Sequence, residues 1–144
     1  MNHKQIKVTV TRQLPEPVET RMKELFDVNL SNSSTPLTRE QLLKTMKDCD
    51  VLVPTIGDKI DSNLIKESGK RLKLIANYGV GFDHIDVLNA LKKGITVTNT
   101  PNVLTEDTAD MAMALILIVP RRIKEGVKKL VDDTWDGWAP NALL

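Results

Sequence analysis

Leu74-Ile75-Ala76-Asn77-Tyr78-Gly79-Val80-Gly81-Phe82-Asp83-His84-Ile85-Asp86 is the stretch on which the fold turns. Leu72 to Ala76 reads as a buried strand, and Gly79 and Gly81 predict a tight turn at its carboxyl end. Asp86 is a good helix N-cap. The helix it opens is expected to bury Leu88 and Leu91 and to stop at Gly94, after which Ile95 to Thr98 forms the next strand. A second stretch, Asn99-Thr100-Pro101-Asn102-Val103-Leu104-Thr105-Glu106-Asp107-Thr108-Ala109-Asp110, then supplies a strand exit, a helix start capped by Thr105, and the hydroxyl of Thr108 beside that start.

The same alternation runs upstream. Ile6 to Val10 is a first strand, and Pro15 and Pro17 mark a turn into a helix that reaches about Leu25. Phe26 to Leu30 is a short second strand, followed by the polar loop Ser31 to Pro36. Thr38 with Gln41 makes a capping box for a helix carrying Leu42, Leu43 and Met46 on one face. Cys49 to Pro54 is the third strand, and Asp61 or Ser62 caps a short helix with Leu64 and Ile65 inward, closed by Gly69 in a left-handed conformation. Strands that alternate with helices over such short connections imply a parallel sheet with helices on both faces. The expected fold class is α/β, a flavodoxin-like five-stranded sheet of order 2-1-3-4-5, continued by a long C-terminal helical extension.

In such sheets ligands bind at the carboxyl ends of the strands, which selects Thr55 to Asp58, Tyr78 to Asp83 and Asn99 to Thr108. Gly79 and Gly81, flanking Val80, permit backbone torsions closed to other residues and leave N–H groups uncovered, a concavity suited to a carboxylate or phosphate. A tight turn without a ligand is the competing reading. Ile56 and Gly57 face the same alternatives at the exit of the third strand. Thr108 lies where a helix dipole favours an anion, or else it is a solvated first-turn residue.

Beyond Thr108 the run Met111 to Val119 is apolar on every helical face, which predicts cover by a neighbouring domain or subunit. Pro120 should end that helix. From Arg121 to Val131, Ile123, Val127 and Leu130 recur at helical spacing among basic residues, a solvated face. Trp135, Trp138 and Pro140 sit in a tail too short to build a core of its own.

Composition excludes several classes. The 144 residues are 41% hydrophobic with a formal net charge of +1, so no field directs the chain to nucleic acid, a membrane surface or an acidic partner. The lone Cys49 precludes an internal disulfide and, before Val51-Leu52-Val53, is expected to pack in the core; no metal is expected. The start carries Lys4 and Lys7 and no signal-like apolar segment, and no apolar run reaches membrane-spanning length, so a cytoplasmic location is expected.

Taken in order, Leu74 to Asp86, Gly94 to Pro101, Val103 to Ala109, Arg121-Arg122 and Trp135-Asp136-Gly137-Trp138 resemble the NAD(P)-dependent D-isomer-specific 2-hydroxyacid dehydrogenases, above all the glyoxylate/hydroxypyruvate reductase branch. The resemblance implies that residues 1–100 are the substrate-binding domain. It implies that residues 101–144 are a hinge, dimerisation helix and arm leading into a Rossmann domain. It puts the substrate carboxylate on the backbone of Val80 and Gly81, with Gly79 shaping the turn. Thr108 then contacts the phosphates of NAD or NADP, and the full-length form is a homodimer acting on a small 2-oxo acid. The resemblance assigns hydride transfer to the cofactor half, which also supplies the histidine, carboxylate and arginine of the reaction. Of the two histidines here, His3 and His84, the resemblance makes His84 structural, so no catalytic residue is expected in this chain.

No G-x-G-x-x-G fingerprint occurs before Leu144. Two expectations follow: a partial dehydrogenase with that motif within about 30 residues downstream, or a short carboxylate-binding or dimerising module without catalysis. A receiver-like signalling domain shares the sheet order, but Thr11-Arg12-Gln13 stands where its acidic pair is needed and Pro54-Thr55 where its acceptor aspartate is. A corepressor relative of the same family has no positive sign. The fragment alone should reduce neither glyoxylate nor hydroxypyruvate.

Overall fold

A computed structural model describes residues 5–138 and 140. His3 and Lys4 therefore lie outside the described residues. The chain divides into two compact units, one up to Val103 and one from Leu104 onward.

In the first unit β1 (Lys7–Val10), β2 (Asp27–Asn29), β3 (Val51–Val53), β4 (Leu74–Ala76) and β5 (Thr96–Thr98) form one parallel sheet in the order β2-β1-β3-β4-β5. Helices α1 (Glu16–Leu25), α2 (Arg39–Asp48), α3 (Ser62–Glu67) and α4 (Val87–Lys92) make the crossovers. The expected order is the observed one, because parallel neighbours joined by single helices leave few right-handed routes.

Side-chain alternation along the strands splits the core into two layers. Val8, Val10 and Val53 pack with Leu14, Met22 and Phe26 in one layer. Leu52 and Ile75, paired in register, lie in the other with Leu42, Met46, Leu64, Ile65 and Ala90. Cys49 is fully buried there, as expected. It is the C-cap of α2 rather than a strand residue, its N–H donating to Thr45 O, so β3 begins later than the apolar run predicts.

Local caps follow the sequence closely. Thr38 and Gln41 form the reciprocal capping box of α2, Asp61 accepts from the amides of Asn63 and Leu64 at the start of α3, and Asp86 accepts from Asn89 N at the start of α4. Gly94 ends α4 at φ +75°, a left-handed turn that suits glycine.

Two expectations fail for packing reasons. Leu88 and Leu91 are 72% and 69% exposed, while Ala90 is fully buried and Val87 packs beside the core. Both pairs are three residues apart, and the pair that presents the smaller side chain faces the sheet, letting α4 lie close to it. Gly69 has no positive φ; its role is close approach, since a Cβ there would lie 2.5 Å from Lys47 O.

The second unit holds α5 (Thr105–Ile118) and α6 (Ile123–Val131). α5 ends just before Pro120, as its missing N–H requires. Its N-cap is Leu104 and no side chain caps it, so Thr105 is the first helical residue and not the predicted cap. No residue of α5 or α6 is buried, and among the described residues no helix is long and apolar enough to cross a membrane. Trp135 and Trp138 are exposed.

Candidate functional site

The carboxyl ends of β3 and β4 lie side by side because pairing continues past the strands. Tyr78 N donates to Pro54 O at 2.9 Å, Ile60 N to His84 O at 2.8 Å, and Asp86 N to Ile60 O at 2.9 Å. The loop after β3 is therefore laced to the turn after β4. It is also anchored from below: buried Asp58 accepts through Oδ2 from Thr11 Oγ1 at 2.5 Å, Thr55 N at 2.8 Å and Thr55 Oγ1 at 3.3 Å. Asp58 Oδ1 and the Nε and Nη2 atoms of Arg12 are buried without a hydrogen-bond partner among the described residues.

Gly57 lies against Arg12, where an added Cβ would stand 2.6 Å from Nη2. Ile56 is 70% exposed, and its Cγ2 would be 3.0 Å from a Cβ placed on Gly79. The structure thus brings Ile56 beside the Gly79 turn, and Gly79 is needed for that close approach, whereas the neighbours of Gly57 are Arg12 and Pro36. Neither Gly79 nor Gly81 adopts a positive φ, so the expected torsional reason fails for both, and a steric one replaces it at Gly79 alone. A Cβ on Gly81 would meet only Asp83 Oδ2, at 3.8 Å, so its outer side is open.

The hydrogen bonds of the turn are strongly one-sided. Asn77, 2% exposed, donates from Nδ2 to Gly79 O at 3.1 Å and to Gly81 O at 2.8 Å. Asn99 Nδ2 donates to Val80 O at 2.8 Å, and Thr100 N to Gly79 O at 3.1 Å. All three carbonyls of Gly79, Val80 and Gly81 are consequently occupied. Of the amides, Gly79 N donates to Asn77 O at 3.0 Å, while those of Val80 and Gly81 have no acceptor among the described residues. The uncovered amides are therefore the two of Val80 and Gly81.

His84 Nε2 lies 3.0 Å from Asn77 Oδ1. Because Asn77 Nδ2 must face two carbonyl oxygens, its Oδ1 faces the imidazole, and Nε2 carries the proton. Burial pushes the His84 imidazole below its ordinary range, opposed by the nearby charges of Asp58 and Asp83. No cluster of metal ligands occurs among the described residues.

The sequence reasoning missed Asn77 and Asn99 as the residues that organise the turn. Both stand one position past a strand, and that placement was the available signal. Thr108, in the other unit, sits exposed in the first turn of α5, its N–H donating to Leu104 O at 2.9 Å.

This α/β scaffold matches a known family. The model of the D-isomer specific 2-hydroxyacid dehydrogenase catalytic domain aligns with residues 8–138. The chain belongs to that family.

Relatives within it carry informative names. A glyoxylate reductase of Thermofilum pendens is 45% identical over 136 residues, covering 93% of this chain and 40% of the relative. A crystal structure of a Thermus thermophilus protein superposes with a TM-score of 0.87 at 41% identity, covering 96% of this chain and 44% of that one. The NADPH-dependent glyoxylate/hydroxypyruvate reductase of Sinorhizobium meliloti, solved with NADP and malonate, gives a TM-score of 0.72 at 29% identity, covering 96% and 43%. The chain thus spans less than half the length of each of these proteins.

Proposed function

We propose that this chain supplies the substrate-binding part of an NAD(P)-dependent oxidoreductase that moves hydride between a nicotinamide and a small 2-oxo or 2-hydroxy acid. Glyoxylate and hydroxypyruvate are the proposed substrates, on the strength of the reductases it resembles. The observation that carries the reading is the pair of amides at Val80 and Gly81 that have no acceptor among the described residues, in a turn whose carbonyls are all engaged elsewhere. Two N–H donors side by side favour an anionic oxygen pair, and hydrogen bonds to a charged group are worth about 1.5–3 kcal/mol each. Gly79 shapes the turn, Ile56 stands beside it, and Gly57 follows Ile56 in the loop proposed to face the same acid.

For the cofactor, the amides of Thr105, Glu106 and Asp107 at the start of α5 have no acceptor among the described residues, and Thr108 adds an exposed hydroxyl. This donor set fits a phosphate oxygen, and Thr108 would hold it. When bound, the nicotinamide supplies or takes up the hydride. This chain's own contribution is to fix the acid by its carboxylate and so to orient the carbon that reacts. Residues 1–100 are proposed as the substrate-binding domain, and 101–144 as the hinge, dimer helix and arm, with the apolar faces of α5 meeting a second copy.

The test is a glyoxylate titration of the 15N-labelled chain, followed at the backbone amides. Saturable shifts centred on Val80 and Gly81 are expected. Shifts elsewhere, or none, would sink the reading. The 144 residues alone should not oxidise NADH or NADPH with glyoxylate, since the resemblance assigns the acid/base histidine and the substrate arginine to the cofactor part.

A further inference from the structure

We infer that Asn77, oriented by His84, and Asn99 are positioning residues of the anion-binding turn: together they engage its carbonyls, so that the amides of Val80 and Gly81 are left facing outward as donors. The inference rests on the reading of that turn as a carboxylate site and adds the device that prepares it.

A short turn without helical or sheet bonding has no internal reason to direct its amides to one side. Peptide units after Gly79 and Gly81 rotate at little cost because glycine lacks a Cβ. A flip of either would turn a carbonyl oxygen toward the ligand position and repel a carboxylate. Here each of the three carbonyls accepts a bond from a side-chain amide: Gly79 and Gly81 from Asn77 at 3.1 and 2.8 Å, Val80 from Asn99 at 2.8 Å. While Asn99 holds the peptide unit that carries the Gly81 N–H, the one Asn77 amide group spans two carbonyls and clamps the units that follow Gly79 and Gly81, the first of which carries the Val80 N–H. It does so only in one of its two orientations, since the inverted side chain would set an oxygen against two oxygens.

His84 selects that orientation. Its Nε2–H donates to Asn77 Oδ1 at 3.0 Å, so the inverted amide would lose this acceptor as well. The ring is itself placed by the backbone, because His84 O accepts from Ile60 N at 2.8 Å and ties the residue to the loop after β3. Asn77 in turn emerges directly from β4, its N–H donating to Thr98 O at 2.9 Å, and Asn99 emerges from β5. Two strands and one loop thus converge on the orientation of two amides. Neither asparagine nor His84 need touch the acid itself, and none is a catalytic residue.

The experiment uses glyoxylate as the probe and the 15N-labelled chain, with thermal unfolding measured beside every titration. Asn77→Asp keeps the shape but replaces the two donated bonds by an acceptor facing two carbonyls. It is expected to weaken glyoxylate binding at least about tenfold, with the Val80 and Gly81 amide signals displaced before any ligand is added. His84→Ala should weaken binding about threefold to tenfold by freeing Asn77 to invert, and His84→Gln, which can donate an N–H to Asn77 Oδ1, should restore it. Asn99→Ala should weaken binding while leaving the Asn77 side-chain amide signals in place. Wild-type affinity in folded Asn77→Asp and His84→Ala overturns the inference, even if their unfolding temperatures fall. Failure of His84→Gln to restore binding lost in His84→Ala also overturns it. Absence of saturable Val80 and Gly81 shifts in the unmutated chain instead overturns the carboxylate-site reading itself.

Discussion

His84 Nε2 stands 3.0 Å from Asn77 Oδ1, and through that bond a residue after the glycine turn decides how one before it faces. Because burial lowers the imidazole's proton affinity, the folded state favours the neutral ring. The sign is that of a depressed folded value: its stabilisation is present above the ordinary histidine range near about 6.5 and is lost as pH falls through the lower folded value. A pH titration followed at the His84 ring protons should give a midpoint below that of the same histidine in the urea-unfolded chain. A midpoint equal to or above the unfolded one would contradict the burial.

Gly69 should tolerate no side chain. An alanine Cβ would lie 2.5 Å from Lys47 O and 3.0 Å from both its C and Cα, all backbone atoms that cannot swing aside. Gly69→Ala is expected to cost about 1–3 kcal/mol, read as a lowered urea midpoint with an unchanged m-value. By contrast Gly94→Asn, at φ +75° with open space around it, should cost little, since asparagine is the side chain that best accepts this conformation.

Cys49 should be chemically silent. It is fully buried at the end of α2, and desolvation pushes its thiol up to about 11. Only the thiolate reacts. A disulfide reagent at pH 8 should label the chain in denaturant and leave the native protein unmodified over the same interval; rapid native labelling would contradict the packing.

Lys93 ties α3 to α4. Its Nζ lies 2.6 Å from Ile65 O, 2.8 Å from Lys66 O, 2.7 Å from Ser68 O and 2.9 Å from Ser68 Oγ, so its three N–H groups are shared among the acceptors at the end of α3. Lys93→Met keeps the stem and deletes the donors. A loss of about 1–3 kcal/mol is expected in chemical unfolding, and a change within error would mean that water serves these carbonyls as well.

Asp61 should carry acid sensitivity at the start of α3. Its bond with the Arg39 guanidinium, then the amide of Leu64, hold the carboxyl down to about 2. The stabilisation is complete above the unfolded carboxylate value and is lost as pH falls toward the folded one. Asp61→Asn, which can still cap, should flatten the acid limb of the stability curve more than it lowers stability at neutral pH.

Much of this was legible in the chain itself. Alternating apolar runs and punctuating residues determined the five parallel strands, and local chemistry determined the capping box at Thr38 and Gln41, the caps at Asp61 and Asp86, and the stop at Gly94. Each of these depends on neighbours within a few positions, which a sequence displays directly. Tertiary structure alone decided which stripe of α4 turned inward, because Val87–Ala90 and Leu88–Leu91 have the same spacing and only the distance to the sheet separates them. It also decided why Gly57, Gly69 and Gly79 are glycines, since Arg12, Lys47 and Ile56 approach them from elsewhere in the chain. The turn shows the division most clearly: two glycines announce a bend, but which way its amides face is set by Asn99 across the sheet and by an asparagine that His84 holds in place.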